Sequence, residues 1–210
     1  LLNTQYLWKN SCMYYTKEIS KTVARRLELK ESLFYAIEDK ELLLHYQPIV
    51  DLESGNLTGV EALVRWHHPK FGMLLPEKFI PLAKETGLIV DLSKWVLKQA
   101  CKQARMWHEA GFKSLSMTIN ISAIEFDQAK LIGHIEGVLA ETGMPPELLE
   151  LDIAESVLMQ DAEMSVKILQ SLKEIGVRIA IDDFGIGYSL LIYLMHFSID
   201  ILNVDRSLTL

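Results

Sequence analysis

Apolar positions along the chain switch between two periods. Over residues 16–39, "TKEISKTVARRLELKESLFYAIED", Ile19, Val23, Leu27, Phe34 and Ile37 fall near one face of a 3.6-residue period, and charges fill the other. That pattern predicts an amphipathic helix, capped by Thr16 with Glu18 in its first turn. From residue 41 the period shortens to two. "ELLLHYQPIVDL" (41–52) and "LTGVEALVRW" (57–66) read as strands, and the "ESGN" between them is short enough for a hairpin. Helices and strands then alternate. Helices are expected at 75–87, with Pro76 in its first turn and Gly87 at its end, at 91–111, ended by Gly111, and at 129–143, 162–176 and 188–195. Strands are expected at 114–122, 148–156, 177–183 and 199–205. Residues 1–15 carry aromatics without a period.

Alternating strands and helices favour a parallel sheet with helices packed outside it. Five such strands plus a leading hairpin strand fit either a doubly wound sheet or most of a barrel. No Gly-rich phosphate loop of the dinucleotide or P-loop kind is present. The balance tilts to a barrel, whose active site lies at the C-terminal ends of its strands.

Composition narrows the partners. The 210 residues are 50% apolar, enough for one sizeable core. The net charge of −7 and the lack of a basic block argue against a nucleic-acid polymer as partner. Cys12 and Cys101 lie far apart and read as two reduced thiols of a cytoplasmic protein. No apolar run is long enough to cross a bilayer, and no signal-peptide pattern opens the chain, so any membrane anchor is expected outside it. The first residue is Leu rather than Met, as expected of a piece of something longer.

The chemistry is written at strand ends. Alternate residues of a strand share a face, so Glu61, Leu63 and Arg65 lie on one side of the second strand. A carboxylate and a guanidinium there suit a metal with a phosphate nearby, or a surface pair at a sheet edge. Asn120 shares a face with Thr118 and Ser122, Glu150 with Asp152, and Asn203 with Asp205; Glu155 stands just past its strand, and Asp182 and Asp183 close theirs. Closing the sheet would gather these oxygens in one mouth. Like charges so close repel unless a cation sits among them. With only hard oxygen donors and no matching His or Cys cluster, Mg2+ or Mn2+ fits better than zinc or copper. Adjacent aspartates can serve two metals about 3.5–4 Å apart, an arrangement used on phosphate esters. His67 and His68 read as structural or solvated.

The ordered set "YQPIVDLESGNLTGVEALVRW", "TINIS", "LELDIAES" and "IAIDDFGIGYSLL" resembles the EAL family of cyclic-di-GMP phosphodiesterases, whose signature stands here as Glu61-Ala62-Leu63. The resemblance runs from about residue 33 to residue 210. It implies an α/β fold, a modified TIM barrel with an antiparallel first strand, using Mg2+ or Mn2+ to hydrolyse cyclic-di-GMP to linear pGpG. Residues 1–32 look like the linker helix region that follows an upstream GGDEF-like domain, with the EAL domain over 33–210. By position, Glu61, Asn120, Asp182 and Asp183 match metal ligands, and Gln47 and Arg65 match residues that contact the dinucleotide. Glu155 matches the glutamate that steadies the loop after the Asp-Asp strand, a loop linked to dimerisation. A second copy of the chain is therefore a candidate partner, through that loop near Tyr188 or through the leading helix.

The departures from the family pattern bear on activity. In the "E-[IL]-T-E" motif, here "DIAE", Asp152 takes the place of a metal-binding glutamate and Ala154 that of a threonine. Ile186 and Leu190 replace polar residues in "FGIGYSLL". In "LNVDRSL", Asn203 occupies the catalytic lysine position. A neutral amide donates a hydrogen bond without bringing charge, and loss of such a group typically costs on the order of 10²–10⁴ in rate. The family's "E-G-V-E" segment is absent, which implies a C-terminally incomplete barrel with its sixth strand as an edge. The resemblance thus implies a cyclic-di-GMP phosphodiesterase fold with weak or absent turnover; the alternative is an inactive cyclic-di-GMP-binding or protein-interaction module.

Overall fold

A computed structural model describes residues 17–126, 130–185 and 197–204. The expected helix at 188–195, Ile186, Leu190, Asp205, Cys12 and the aromatic N-terminal stretch lie outside those residues. The chain opens with α1 (Lys17–Leu33), followed by β1 (Leu42–Val50), β2 (Leu57–His68) and the short β3 (Gly72–Leu74). Helices α2 (Pro76–Thr86) and α3 (Ile89–Glu109) lead to β4 (Ser116–Ile121), a one-turn α4 (Ala123–Phe126) and α5 (Leu131–Thr142). A 3₁₀ turn (Pro146–Leu148) enters β5 (Leu149–Ala154); the one-turn α6 (Glu155–Leu158), α7 (Ala162–Ile175), β6 (Arg178–Phe184) and β7 (Ile201–Val204) follow.

The strands form one sheet in the order β1-β2-β4-β5-β6-β7, with β3 added beside β2. β1 pairs antiparallel to β2, and the pairs from β2 to β7 are all parallel. The sheet is open between β1 and β7 among the described residues. This is the expected barrel-type α/β architecture, not closed. The β1–β2 turn is held by Asp51, whose Oδ1 accepts bonds from Ser54 N (2.8 Å) and Ser54 Oγ (2.6 Å), while Gly55 takes a φ of 68°.

Two apolar clusters flank the sheet. The larger joins the outward residues of the parallel strands, such as Ile119, Leu151, Ile153, Ile179 and Ile181, to α3, α5 and α7. Strand β5 is buried on both faces, which is why "LELDIA" lacks the clean alternation of a half-exposed strand. The smaller cluster gathers Leu29, Leu33 and Ala36 with Trp66, Leu74, Phe79 and Leu82.

That second cluster corrects the reading of the leading helix. Val23, Leu27 and Phe34 are exposed (61%, 57% and 63%), and the stripe that docks is Leu29, Leu33 and Ala36. The helix also stops at Leu33 rather than running to residue 39. Polar anchors select the docked face: Arg26 pairs with Glu85, Lys70 Nζ sits 2.7 Å from Glu28, and the Arg25 guanidinium lies 4.6 Å from the centre of the Phe71 ring.

Where β2 meets β4, Gly59 and Ser116 are partners in register. A Cβ on residue 59 would collide with Ser116 Oγ, whereas Ser116 Cβ would stand 3.5 Å away. Gly59→Ala is therefore expected to cost about 1–3 kcal/mol, the range for overpacking. Ser116→Ala in the same chain should restore the part due to Oγ, leaving the 3.3 Å approach to the Ser116 carbonyl oxygen. Urea unfolding of the single and double variants checks it; independent, additive effects would contradict the contact.

Candidate functional site

Alternation along the strands sends one set of side chains outward into the helices and the other into a cleft of about 860 Å³. Glu61 on β2, Thr118 on β4, Glu150 and Asp152 on β5, Asp182 on β6 and Asn203 on β7 line it. Lateral register sets their heights: Thr118 is level with Glu61 and Glu150, and Asn120 with Asp152. Asn120 Nδ2 donates to Glu61 Oε1 at 2.7 Å, and Asn203 Nδ2 to Asp152 Oδ2 at 3.0 Å. Deeper in the cleft Thr118 Oγ1 donates to Glu150 Oε1 at 3.0 Å, and Arg178 Nη1 lies 3.7 Å from Glu150 Oε2.

Asp152 is the electrostatic centre. Burial pushes its carboxyl up to about 7, and the neighbouring Asp182 adds to the shift; the Asn203 bond opposes it, and Glu61 and Glu150 reinforce it. Its Oδ1 is buried with no hydrogen-bond partner among the described residues. Burial also raises Glu150, against the pull of Thr118 and Arg178.

The remaining sequence-predicted residues are placed differently. Gln47 on β1 is the register partner of Glu61 and is exposed. Arg65 is half-buried and its Nη1 donates to Val64 O at 2.9 Å, so it is not joined to Glu61. Asp182 lines the cleft, while Asp183 is exposed with a φ of 56°, a left-handed conformation that aspartate tolerates better than most residues. The β6–β7 register shifts between Ile181 and Phe184, so the two adjacent aspartates sit at a break in the ladder. Glu155, buried at the start of α6, accepts a bond from Gly185 N at 3.1 Å, just beyond those aspartates. Among the described residues, no group of three or more Asp, Glu, His or Cys is gathered closely enough to hold a metal ion by itself. Asp152 and Asn203 come together, as do Glu61 and Asn120.

A second cavity, of about 350 Å³, escaped the strand-end reading. It lies beside Asn120 and is walled by Leu63, Pro76, Val96 and Ile121, with Ser93 and Glu125 among its polar groups. Glu125 Oε2 accepts from Ser122 N (2.9 Å) and Ser122 Oγ (2.6 Å). Burial raises the Glu125 carboxyl against those bonds. The sequence signal was the spacing "SAIE", a Ser followed three residues later by Glu, which forms a capping box.

A mostly parallel α/β sheet, open among the described residues, with carboxylates and amides converging on one face defines the class. The chain belongs to the EAL domain family, whose model matches residues 30–210. It is 40% identical over 198 residues to the bifunctional diguanylate cyclase/cyclic di-GMP phosphodiesterase MucR of Pseudomonas aeruginosa, covering 94% of this chain and 29% of that protein. It is 39% identical over 199 residues to the cyclic di-GMP phosphodiesterase NbdA of the same organism, covering 95% of this chain and 25% of that protein. Among solved structures, the MucR phosphodiesterase in complex with c-di-GMP superposes with a TM-score of 0.83 at 43% identity, covering 86% of this chain and 73% of that one. The Xanthomonas citri FimX EAL domain in complex with c-diGMP superposes with a TM-score of 0.78 at 26% identity, covering 92% and 74%. The chain thus spans less than a third of the length of these curated relatives. Among the described residues, no helix is long and apolar enough to cross a membrane.

Proposed function

We propose that this chain carries a divalent-cation-dependent site for cyclic-di-GMP whose hydrolytic step is slow. The observation that carries the reading is the convergence of Glu61, Asp152 and Asp182 at one cleft, with Asn120 bonded to Glu61, in a chain that matches the EAL family. The residues present fit a hard cation: each can offer an oxygen, and one buried carboxylate oxygen lacks a partner among the described residues, amid like charges. Glu61, Asn120, Asp152, Asp182 and Asp183 would hold Mg2+ or Mn2+. A bound cation of this kind polarises a phosphoryl oxygen and makes hydroxide available at neutral pH.

The protein's own contribution is orientation. Asn120 fixes Glu61 and Asn203 fixes Asp152, so the carboxylates keep their aim when the cleft is empty of ligand. The cavity beside Asn120 falls at the lower end of ordinary ligand pockets, and its apolar lining with Ser93 and Glu125 among its polar groups would take one base. Gln47 and Arg65, on the two antiparallel strands, would contact the rest of the dinucleotide, as their match to the family's motif suggests. Glu155 ties down Gly185 at the base of the loop that follows the aspartates. Asn203 supplies no positive charge to assist an attacking water, which supports slow turnover of about 10²–10⁴ below a lysine-bearing site.

Calorimetry with cyclic-di-GMP in Ca2+, alongside chromatography for pGpG in Mn2+, tests the two halves separately. Binding heat in Ca2+ and slow pGpG formation are expected, with both weakened in Glu61→Gln. Absence of heat would reject the binding site. Rapid conversion would reject the slow step and leave binding standing.

A further inference from the structure

Asn203 does something in this cleft besides lacking a charge. We propose that it is a positioning residue, which reaches across β6 to hold Asp152 as a preformed cation ligand. The proposal rests on the cation reading above and adds a role for a residue that the family pattern marks only as a departure.

The geometry is a bridge over a strand. β7 is not a neighbour of β5; β6 lies between them. The 3.0 Å bond from Asn203 Nδ2 to Asp152 Oδ2 therefore spans the inner face of β6. Ala180 is the β6 partner of Asp152 on one side and of Ile201 on the other. Ala180 is fully buried, and its neighbours Ile179 and Ile181 belong to the outer core, which puts the Ala180 methyl on the cleft face. A methyl is small enough to leave the path open, and a branched side chain there would block it.

The bond also decides where the carboxylate points. With Oδ2 engaged, Oδ1 is the oxygen left buried and unpartnered. Glu61, Glu150 and Asp182 all repel Asp152, so without the bond its side chain would rotate away from them. An amide restrains the carboxylate without neutralising it, and it leaves the negative charge available to a cation. Asn120 restrains Glu61 in the same manner across the cleft, at 2.7 Å. Partners that orient a ligand in this way typically contribute about 10–100-fold in metal affinity.

The test is Mn2+ titration calorimetry on the full chain, with the unfolding temperature in EDTA recorded for each variant. Asn203→Leu keeps the size of the side chain and removes the donor. Ala180→Val keeps both partners and obstructs the path. Each is expected to weaken Mn2+ binding by about 10–100-fold with little change in the metal-free unfolding temperature. In an Asp152→Ala background, Asn203→Leu is expected to have no further effect on Mn2+. Unchanged affinity in both variants would overturn the positioning role alone. An equal loss from Asn203→Leu in the Asp152→Ala background would overturn it in favour of Asn203 as a direct ligand. Absence of Mn2+ binding by the parent chain would overturn the cation reading and this inference with it.

Discussion

Trp66→Ala is expected to lower the unfolding free energy by about 3–5 kcal/mol, the range for truncating a fully buried large aromatic. Trp66 is 0% exposed and stands where three strands meet: it is the register partner of Leu42 on β1 and of Leu74 on β3. Its ring meets Phe79 of α2 edge-on at 5.7 Å and His68 at 5.0 Å. Its Nε1 donates to Glu41 Oε2 at 2.8 Å, fixing the entry to β1. Truncation would open a cavity in the cluster that also holds Leu29 and Leu33 of α1, so the leading helix should loosen with it. Against a typical total of about 5–15 kcal/mol, the loss is a large share of the whole. Val23→Ala, on the exposed stripe of α1, is the matched control and should stay within about 0.5 kcal/mol. Denaturant unfolding measures both. Equal effects from the two substitutions would show that α1 is docked by its other face.

The second large effect is a dependence on pH. The Asp152 carboxyl is pushed from the ordinary aspartate value of 3.8 to about 7 in the folded chain, first by burial and then by Asp182. Between those values the native state holds a proton that the unfolded chain has lost. Stability of the metal-free chain should therefore fall as pH rises from about 4 to about 7, and level off above that. Asp152→Asn carries no titrating group and should flatten that part of the profile. Glu125 and Glu150 are shifted in the same direction, so the difference between parent and variant isolates Asp152. Mn2+ should act in the opposite sense, because proton and cation compete for one carboxylate: its stabilisation should grow as pH rises to about 7. Thermal unfolding in EDTA and in Mn2+ across this range reads both slopes. A metal-free parent that gains stability from pH 5 to 7 relative to Asp152→Asn would contradict the assignment.

Legibility in the sequence followed the length of the signal. The β1–β2 hairpin, the parallel strands and α2, α3, α5 and α7 were legible because each carries a turn or cap at its ends and a period long enough to recognise. β3, α4, α6 and the 3₁₀ turn at Pro146 span only three or four residues each, too short for any period to register. On α1 the two apolar stripes compete, and the choice between them lies in tertiary partners, Glu85 and Lys70, that no local pattern announces. In the site, strand alternation placed Glu61, Asp152, Asp182 and Asn203 in the cleft correctly. It did not place Arg65, whose guanidinium turns back to the Val64 carbonyl, nor Glu125, which comes from a helical turn and not from a strand end. The bond between Asn203 and Asp152 was invisible for another reason. It joins strands that are not neighbours in the sheet, so no local pattern announces it.

The interleaving of Ile119, Asn120 and Ile121, and of Leu151, Asp152 and Ile153, has a consequence for descent. Apolar residues that hold the architecture and polar residues of the candidate site occupy alternate places on the same strands. A lineage can therefore exchange a glutamate for an aspartate or a lysine for an asparagine at one place while selection on its neighbours keeps the shape. Inheritance of form and inheritance of chemistry run on separate tracks in such a chain, and a likeness between two of its members is a better witness to ancestry than to rate.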